Sequence, residues 1–393
     1  MTTDAPETRP SRTKLGRALM ANKTLTAEWA SAFAAVPRSA FLPNLMWPYD
    51  MTAGRSVPVS RTNAPEQWHD YADSDMPLVT QWDDGNHAGS EPGAVSTSSA
   101  SMPSVVFSML RDLSVQAGNK VLEIGTGTGW NAALLARRLG AENVTSVEVD
   151  PEVAQAAREA LTRFGLPVEV VTGDGALGYA TRAPYDRVIG TCGLRDRIPW
   201  EWIEQTRPGG IILAPWGTHF SNGDALARLT VAKDGCSAAG QFTGPVEFMK
   251  ARAQRLPALA HTDYVPNTVA DGDETSTRIT EAEFIGEQFT AQRFVLGLRV
   301  PGCTLVVADK RDGARPVWLY SLTDRSWACA MFRDGDTARV WQGGARRLWD
   351  TAEAAYGWWV DHGRPDHTRF GLTVTREGQS VWLDSPADDW ALT

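Results

Sequence analysis

The segment VLEIGTGTGW (121–130) places three glycines at alternate positions directly after an apolar run that contains an acid. Gly125, Gly127 and Gly129 permit a tight turn and let a ligand approach the backbone without an intervening Cβ atom. The dinucleotide fingerprint needs a glycine where Trp130 stands, and a phosphate-binding loop needs Gly-Lys-Ser or Gly-Lys-Thr at its end. The pattern therefore disfavours both NAD and a phosphate loop. Helix–sheet packing is the plain alternative explanation for the glycines.

Acidic residues accompany this loop at positions that suit a nucleoside. Glu148 ends a strand-like run, where an acid can accept hydrogen bonds from both ribose hydroxyls. Glu123 adds a negative charge, and Asp174 in GDG (173–175) can accept from an adenine amino group. Such acids repel a pyrophosphate but suit a cationic ligand with a free ribose, which describes S-adenosylmethionine. The residues expected to contact this cofactor are Glu123, Gly125, Thr126, Gly127, Gly129, Glu148, Asp174 and Gly175.

The elements that must position these residues alternate between strand and helix. Five strand-like apolar runs and the helical segments between them follow one another through residues 104–232. This alternation predicts an α/β fold with a doubly wound, mostly parallel, Rossmann-like sheet. Because ligands bind at the carboxyl ends of such strands, the glycine loop and the acids should lie together. We predict three domains, namely an N-terminal helix with a long loop (1–103), the ligand-binding domain (104–232) and an α+β domain (240–393).

The two flanking parts give weaker patterns. LTAEWASAFAAVPRSAFLP (25–43) predicts an N-terminal helix that begins after Thr26 and ends near Pro37. From Pro43 to about residue 101 the composition is typical of loop, apart from a short strand at 77–82. STSSASMPS (96–104) offers several hydroxyls, although without context it is typical of a solvated linker.

In the C-terminal part, three turn signals are flanked by strand-like runs and predict hairpins. They are Asp312-Gly313, Asp334-Gly335 and Glu377-Gly378, and one helix is expected within 346–363. Half of the sixteen tryptophans lie beyond residue 310. They indicate either a tryptophan-rich core or an exposed aromatic face that binds a peptide.

Composition and charge limit the classes of function. The net charge of −9 gives no general attraction for phosphate backbones, so we expect no nucleic-acid partner. No apolar run approaches the roughly 20 residues of a membrane helix, and the first residues do not read as a signal peptide. The four cysteines are scattered along the sequence without paired spacing, which is typical of a reducing compartment. We therefore expect a cytoplasmic protein. The six histidines form no metal-spaced cluster, and we expect no metal.

The ordered motifs resemble those of the protein L-isoaspartyl O-methyltransferases, a family that methylates a carboxyl group of damaged or modified aspartate in peptides. VLEIGTGTG resembles the first cofactor motif of that family, GDGALGYATRAPYDRVI (173–189) its most distinctive segment, AAVPRSAFLP (34–43) its N-terminal helix and RPGGIILAPWG (207–217) its late strand. The resemblance covers roughly residues 25–220. It implies binding of S-adenosylmethionine and a peptide partner.

The resemblance also implies an active-site segment. The family places T-I-S-[QA]-P over the methyl group, and alignment on Pro103 implies that Ser101 is the catalytic hydroxyl and that Ser99 replaces the threonine. Ser98 is the alternative register. No general base is needed here, because a carboxyl group with a pKa near 4 is already anionic at pH 7.

Two departures from the repair enzymes resemble an actinobacterial branch associated with ribosomally made, modified peptides such as lanthipeptides and graspetides. The loop before the serines is longer and contains VTQWDDG (79–85), and about 150 residues follow the methyltransferase part. That branch methylates aspartate in a constrained peptide, and the ester collapses to an aspartimide that can hydrolyse to isoaspartate. The resemblance favours such peptide maturation over repair. Substrate contacts are expected from Thr80, Gln81, Asp83 and Ser98.

Two functions from other classes remain as alternatives. A small-molecule methyltransferase would share the cofactor motifs but would not explain the serine segment or GDGALGYA. An inactive homologue whose C-terminal domain binds a partner would be consistent with the altered serine segment.

Overall fold

The computed structural model describes residues 9–50, 54–265, 267–287, 289–333 and 337–392. The chain forms two compact units, one of residues 1–191 with 201–213 and the other of residues 192–200 with 214–393. The chain therefore passes from one unit to the other three times. The predicted division into three consecutive domains remains a prediction. The glycine loop and its acids all belong to the first unit.

Residues 9–191 contain six α-helices and seven strands of at least four residues among the residues that the structure describes. The helices are α1 (Pro10–Ala21), α2 (Ala27–Ala35), α3 (Pro65–Ala72), α4 (Pro103–Leu113), α5 (Trp130–Leu139) and α6 (Pro151–Arg163). The strands are β1 (Leu45–Asp50), β2 (Leu78–Trp82), β3 (Ser96–Ala100), β4 (Val121–Ile124), β5 (Val144–Glu148), β6 (Glu169–Thr172) and β7 (Tyr185–Gly190). A short helix, α7 (Trp200–Glu204), and the long strand β8 (Thr206–Gly217) follow.

The centre of the first unit is the predicted parallel sheet. Its strands lie in the order β8-β7-β4-β5-β6, and every pairing within this group is parallel. All four residues of β4 and all five of β5 are buried, as expected for central strands covered on both faces. Asp150 begins α6 by accepting hydrogen bonds from the backbone N–H of Glu152 and Val153. The α/β prediction is confirmed.

The described residues between the N-terminal helix and the parallel sheet, 44–50 and 54–101, form several strands and a helix, so the prediction of mostly loop was wrong. β1, β2 and β3 form an antiparallel sheet, and two-residue strands at 55–56 and 59–60 pair with β1. Turn-forming residues concealed an apolar core in the sequence. That core consists of Met46, Val59, Trp68, Ala72, Leu78 and Ala100. The predicted helix after Thr26 is confirmed as α2, whereas α1 and α3 were missed.

The second unit carries two antiparallel arrangements. In the first, strands β9 (Asp224–Val231), β10 (Ser237–Val246), β16 (Phe370–Thr375), β17 (Gln379–Leu383) and β18 (Asp389–Ala391) are neighbours in that order. In the second, the order is β11-β15-β14-β13-β12. Its members are β11 (Asp273–Thr277), β12 (Cys303–Val307), β13 (Ala314–Ser321), β14 (Trp327–Arg333) and β15 (Ala338–Gly343). The helices are α8 (Glu281–Ile285), α9 (Ala291–Arg299) and α10 (Leu348–Asp361).

Two of the three predicted hairpin turns join paired strands. Asp312-Gly313 connects β12 to β13, and Glu377-Gly378 connects β16 to β17. Both Asp312 and Gly313 have positive φ, as a tight turn of this kind requires. Asp334-Gly335 lies outside the described residues. The helix expected within 346–363 is confirmed as α10.

The tryptophans beyond residue 310 belong mainly to the core. Five are buried, namely Trp327, Trp341, Trp349, Trp359 and Trp382. The other three, Trp318, Trp358 and Trp390, are partly buried. The Arg299 guanidinium lies 4.4 Å from the ring centre of Trp358 and 5.2 Å from that of Trp390. The core interpretation therefore holds, and none of these eight side chains forms an exposed aromatic face.

Candidate active site

The glycine loop connects β4 to α5 and has an unusual backbone. Gly125, Gly127 and Gly129 have φ of 97°, 52° and 86°, a region that L-residues rarely adopt. The Gly127 N–H donates to Glu148 Oε2 at 2.9 Å. A Cβ atom added at Gly127 would lie 3.4 Å from the carbonyl oxygen of Ser99. The loop is thus tied to the end of β5 on one side and closely approached by β3 on the other.

Glu148 is oriented by two backbone groups. Its Oε2 accepts from Gly127, and its Oε1 accepts from the Asp150 N–H at 3.1 Å. The residue is 8% exposed. A carboxylate has about four acceptor positions, so about two remain for hydroxyl groups of a ligand. This geometry is what pairing with both hydroxyls of a ribose needs.

The GDG segment lies beside the same strand end. The Gly173 N–H donates to the Glu148 carbonyl oxygen at 2.9 Å, and the exposed Asp174 accepts from the Ala176 N–H at 2.9 Å. A Cβ atom at Gly175 would overlap Cγ2 of Ile124, the last residue of β4. Close approach of the Ile124 side chain to the backbone of the GDG segment therefore explains the glycine at position 175.

Sequence reasoning missed two side chains that hold this segment from behind. The indole N–H of Trp202 donates to the Gly175 carbonyl oxygen at 2.8 Å. The Gln205 side chain accepts from the Tyr179 N–H at 2.7 Å and donates to the Leu177 carbonyl oxygen at 2.8 Å. No local motif marks either residue, because both come from a later part of the chain.

Glu123 is buried next to the glycine loop, and its contact with the cofactor stays a prediction. The residue is fully buried, and its carboxyl oxygens accept from Ser146 Oγ at 2.5 Å and Asn131 Nδ2 at 2.7 Å. Thr126, also buried, shares a 2.6 Å hydrogen bond with the same serine hydroxyl. Burial raises the pKa of Glu123 to about 7, with a smaller contribution from the charge of Glu148. Glu123 and Thr126 therefore support the loop.

Glu123→Gln is expected to remove a pH dependence of stability. A carboxyl group with a pKa of about 7 in the folded chain and about 4.5 in the unfolded chain stabilises the fold at low pH, and this contribution is lost as pH rises through 7. The free energy of unfolding of the variant, relative to the natural chain, should rise between pH 5 and 7 by up to about 3 kcal/mol and then level off. Urea denaturation of both chains at several pH values measures this free energy.

The exposed Glu159→Gln in α6 is the matched control for that experiment. It should leave the pH dependence of the urea midpoint unchanged. A parallel pH profile for Glu123→Gln and the natural chain would show that Glu123 is ionised throughout.

The serine segment is strand β3 and not a solvated linker. It pairs with β2, so that Val79 faces Ser99 and Leu78 faces Ala100. The Thr80 hydroxyl donates to Ser98 Oγ at 3.3 Å. The hydroxyls of Ser99 and Ser101 make no hydrogen bond within the part of the chain that the structure describes. The two serines implied by the resemblance thus have uncommitted hydroxyls, whereas Ser98 is paired.

Gln81 connects this strand pair to the cofactor side. Its Nε2 donates to Asp150 Oδ2 at 3.1 Å, and its Oε1 accepts from Thr97 at 2.9 Å. Asp150 follows shortly after Glu148 and begins α6. The predicted substrate contact is therefore a link between β2, β3 and the end of β5.

Asp83 closes its own loop. Its carboxylate accepts from the Val95 N–H at 2.7 Å and the Ala94 N–H at 3.1 Å, and these hydrogen bonds lower its pKa. Asp83, Asp84 and Gly85 all have positive φ, which the loop closure maintains. In this structure the carboxylate of Asp83 accepts hydrogen bonds within its own loop, and its contact with a substrate stays a prediction.

Arg38 is the principal residue of the site that sequence reasoning did not single out. Its guanidinium donates to the carbonyl oxygens of Ala100 at 2.8 Å, Ser101 at 2.9 Å and Met76 at 3.0 Å. It also lies 5.7 Å from the ring centre of Trp130, the first residue of α5. The residue is 4% exposed, and burial lowers its pKa to about 9. Arg38 thus holds the end of β3 in place.

These contacts bring together the glycine loop, Glu148, the GDG segment and β3. Among the described residues, no group of three or more His, Cys, Asp or Glu side chains could hold a metal ion. No helix in the described ranges has the length and apolarity to span a membrane. The arrangement suits a nucleoside on the acids and a second reactant beside the free serine hydroxyls.

Part of the chain is similar to known proteins. The family profile described as protein-L-isoaspartate(D-aspartate) O-methyltransferase matches residues 62–251. The chain is 43% identical over 114 residues to a protein-L-isoaspartate O-methyltransferase of Methanococcus maripaludis, covering 28% of this chain and 53% of that protein. It is 41% identical over 120 residues to one of Pyrococcus horikoshii, covering 30% and 54%. The match spans about half the length of these curated relatives.

A solved structure named protein-L-isoaspartate O-methyltransferase has the same fold. The TM-score is 0.52 at 21% sequence identity, and the alignment covers 95% of this chain and all of the other. At this identity the likeness concerns the fold. It extends beyond the parallel sheet into the C-terminal half of the chain.

Proposed function

We propose that this chain is an S-adenosylmethionine-dependent O-methyltransferase that esterifies a carboxyl group of an isoaspartyl-type residue in proteins or peptides. The observation that carries the proposal is the approach of β3 to the glycine loop that Glu148 holds, with the free hydroxyls of Ser99 in this strand and of Ser101 directly after it. The similarity of residues 62–251 to the isoaspartyl methyltransferase profile supports the same reaction.

The residues fit the cofactor by charge and shape. Glu148 would accept from the ribose hydroxyls, Asp174 from the adenine amino group, and Gly125, Gly127 and Gly129 would admit the remainder of the molecule. Two exposed apolar side chains lie next to these acids in the sequence, Val149 at 43% and Leu177 at 61% exposure. Apolar surface beside paired acids suits the flat faces of a purine.

The chemistry requires orientation more than acid–base assistance. S-adenosylmethionine, when bound, supplies an electrophilic methyl group on a sulfonium. An acceptor carboxylate is already nucleophilic at neutral pH, so no residue has to remove a proton from it. Ser101, with Ser99, would hold one carboxylate oxygen and leave the other directed at the methyl group. Arg38 acts through Ser101 by holding its carbonyl oxygen, and is a positioning residue.

The substrate class has two candidates. Repair of isoaspartyl residues in damaged proteins agrees with the names of the matched relatives. Maturation of a modified peptide, by methylation of aspartate and collapse to aspartimide, is supported by the resemblance of the sequence to enzymes of that kind. The C-terminal half of the chain does not distinguish repair from maturation, because the solved structure aligns there as well.

Mass spectrometry of two acceptors tests the proposal. The full chain is incubated with S-adenosylmethionine and either a generic isoaspartyl peptide or the modified precursor peptide encoded nearest to its gene. Methylation of the generic peptide indicates repair, and methylation of the precursor alone, followed by loss of methanol, indicates maturation. Methylation of neither, with small carboxylic acids turned over instead, would favour a small-molecule methyltransferase. Absence of S-adenosylmethionine binding in calorimetry would exclude all of these reactions.

Glu148→Ala is expected to weaken S-adenosylmethionine binding by about 10- to 100-fold, since hydrogen bonds to a charged group contribute about 1.5–3 kcal/mol. Isothermal titration calorimetry gives the dissociation constant. Glu152→Gln, an exposed acid in the first turn of α6, is the control and should bind normally. Equal affinity in both variants would place the ribose elsewhere.

A further inference from the structure

A cavity of about 730 Å³ lies wholly within the second unit. Its volume falls in the range of small-molecule and peptide side-chain sites. Four basic residues, Arg195, Lys250, Arg255 and Arg293, contribute to its lining. None of the residues proposed for methyl transfer belongs to it. The cavity is therefore a second candidate site with its own chemistry.

The floor of the cavity is a buried ion cluster. Asp224 is fully buried and pairs with Lys250 through one carboxylate oxygen and with Arg195 through the other, at 3.1 Å. Two glycines make room for it. A Cβ atom at Gly217 would overlap Asp224 Oδ1, and one at Gly193 would lie 2.9 Å from Lys250 Nζ. The backbone on both sides thus accommodates these charges at short range.

The basic groups around the cavity are poorly solvated. Burial is the main cause that lowers the pKa of Arg195, of Lys250 and of Arg293. Arg195 has further acceptors in the carbonyl oxygen of Ser221 at 2.5 Å and in Asn222 Oδ1 at 2.8 Å. Poor solvation makes each cation more responsive to an additional negative charge.

The acidic groups offset these cations only in part. Glu247 and Glu287 line the cavity but are exposed, so that water screens them. Asp196 is 45% exposed in its side chain and lies 3.3 Å from His219. Among the described residues around the cavity, Asp224 is the one fully buried carboxylate. Three partly desolvated cations therefore face the fully buried Asp224, the partly desolvated Asp196 and the exposed Glu247. Because water screens Glu247, the cavity favours a negatively charged ligand.

The rim of the cavity carries apolar side chains that an apolar group of the ligand can contact. Leu256 is 39% exposed and Phe289 is 52% exposed, and both line the cavity. Exposed apolar side chains next to buried cations suit a ligand that carries an anionic and an apolar group side by side. A free inorganic anion would leave this rim in water.

We propose that this cavity binds an acidic peptide segment. In the bound peptide, a glutamate or aspartate carboxylate lies near Lys250 and Arg293. A neighbouring apolar side chain of the same peptide packs against Leu256 and Phe289. The choice of a peptide rests on the proposed function, since a peptide methyltransferase must hold its substrate outside the reacting residue. The charge preference itself rests on the cavity alone.

Fluorescence anisotropy with two labelled peptides tests the site in the full chain. Both peptides have the same leucines and phenylalanine and blocked ends, and one has glutamates where the other has glutamines. We expect the glutamate peptide to bind at least tenfold more tightly at low salt, and this preference to fall steeply with added NaCl. Equal binding of the two peptides overturns the proposal. Competition by inorganic phosphate at concentrations equal to the peptide also overturns it, because a free anion would then suffice.

Three variants locate the binding. Lys250→Met and Arg293→Gln should each reduce affinity for the glutamate peptide about tenfold and reduce the preference over glutamine. Phe289→Ala, at an exposed position, should weaken both peptides several-fold and keep the preference. Lys233→Met, an exposed lysine outside the cavity, is the matched control. Loss of binding in the control, or unchanged binding in Arg293→Gln and Phe289→Ala, overturns the assignment.

Binding of S-adenosylmethionine is measured on every variant. Unchanged cofactor affinity in Lys250→Met shows that the first unit is folded, and an unchanged near-UV circular dichroism spectrum shows the same for the second unit. Its loss of peptide binding then counts for the cavity. A chain that prefers the glutamate peptide but binds no S-adenosylmethionine would support the cavity and refute the methyltransferase proposal. A chain that methylates peptides without any preference for glutamate would do the reverse.

Discussion

Ser101→Ala is expected to lower the turnover number for peptide methylation by about 100-fold while leaving the dissociation constant of S-adenosylmethionine within twofold. Removal of a single hydrogen-bond donor that orients a reacting oxygen costs about 10²–10³ in rate in comparable sites. Ser101 follows β3 directly, and Arg38 holds its carbonyl oxygen. The hydroxyl is therefore presented by a backbone that cannot easily rearrange. Single-turnover methylation followed by mass spectrometry, with calorimetry for the cofactor, measures both quantities.

Ser98→Ala is the informative comparison for this variant. The Ser98 hydroxyl is paired with Thr80, so its removal should change turnover by a few-fold at most. If Ser98→Ala abolishes turnover and Ser101→Ala leaves it intact, the alternative register is correct. Ser99→Ala should fall between the two, because its hydroxyl is free but the residue lies within the paired strand.

Arg38→Met is expected to reduce the free energy of unfolding by about 3 kcal/mol and to lower turnover together with it. The guanidinium donates to four carbonyl oxygens, those of Ser74, Met76, Ala100 and Ser101, and leaving a buried polar group without a partner costs about 1–3 kcal/mol. The end of β3 then loses the contacts that fix Ser101. Urea denaturation gives the stability, and methylation assays below the transition region give the turnover.

Arg137→Met, at an exposed position in α5, is the control and should change stability by less than about 0.5 kcal/mol. Arg38→Lys keeps the charge but cannot reach these four carbonyl oxygens at once, so it should recover part of the stability and little of the turnover. Normal turnover in a folded Arg38→Met protein would show that Ser101 does not depend on Arg38.

The parallel sheet was predictable because its signal is local. Apolar runs of strand length, helical periods and glycine punctuation recur along residues 104–217, and each run forms the expected element. The sheet order then places Glu148 beside the glycine loop. By contrast, β3 contains few apolar residues and β1 is interrupted by Pro48, and both pack with partners such as Trp68 and Leu78 that lie far away in sequence. Composition alone therefore made this region resemble loop.

The site shows the same limit. Glu148 and Gly127 could be paired in advance, because consecutive parallel strands bring their ends together. Arg38 could not, since its partners at 76, 100 and 101 depend on a small sheet that the sequence did not reveal. The burial of Glu123 and its hydrogen bonds to Ser146 and Asn131 were not foreseen either, and its contact with the cofactor stays a prediction. Strand alternation in a fully buried strand gives no indication of which acid is covered.

The passage of the chain between the two units affects the order in which the protein can be completed during synthesis. Residues 201–213 return to the first unit after residues 192–200 have entered the second. Trp202 and Gln205, which hold the segment around Gly175, are therefore made after that excursion. A ribosome-bound chain that ends at residue 191 has the glycine loop but lacks these supports. Neither unit is a contiguous module that could be excised, or gained by simple fusion, without disturbing the other.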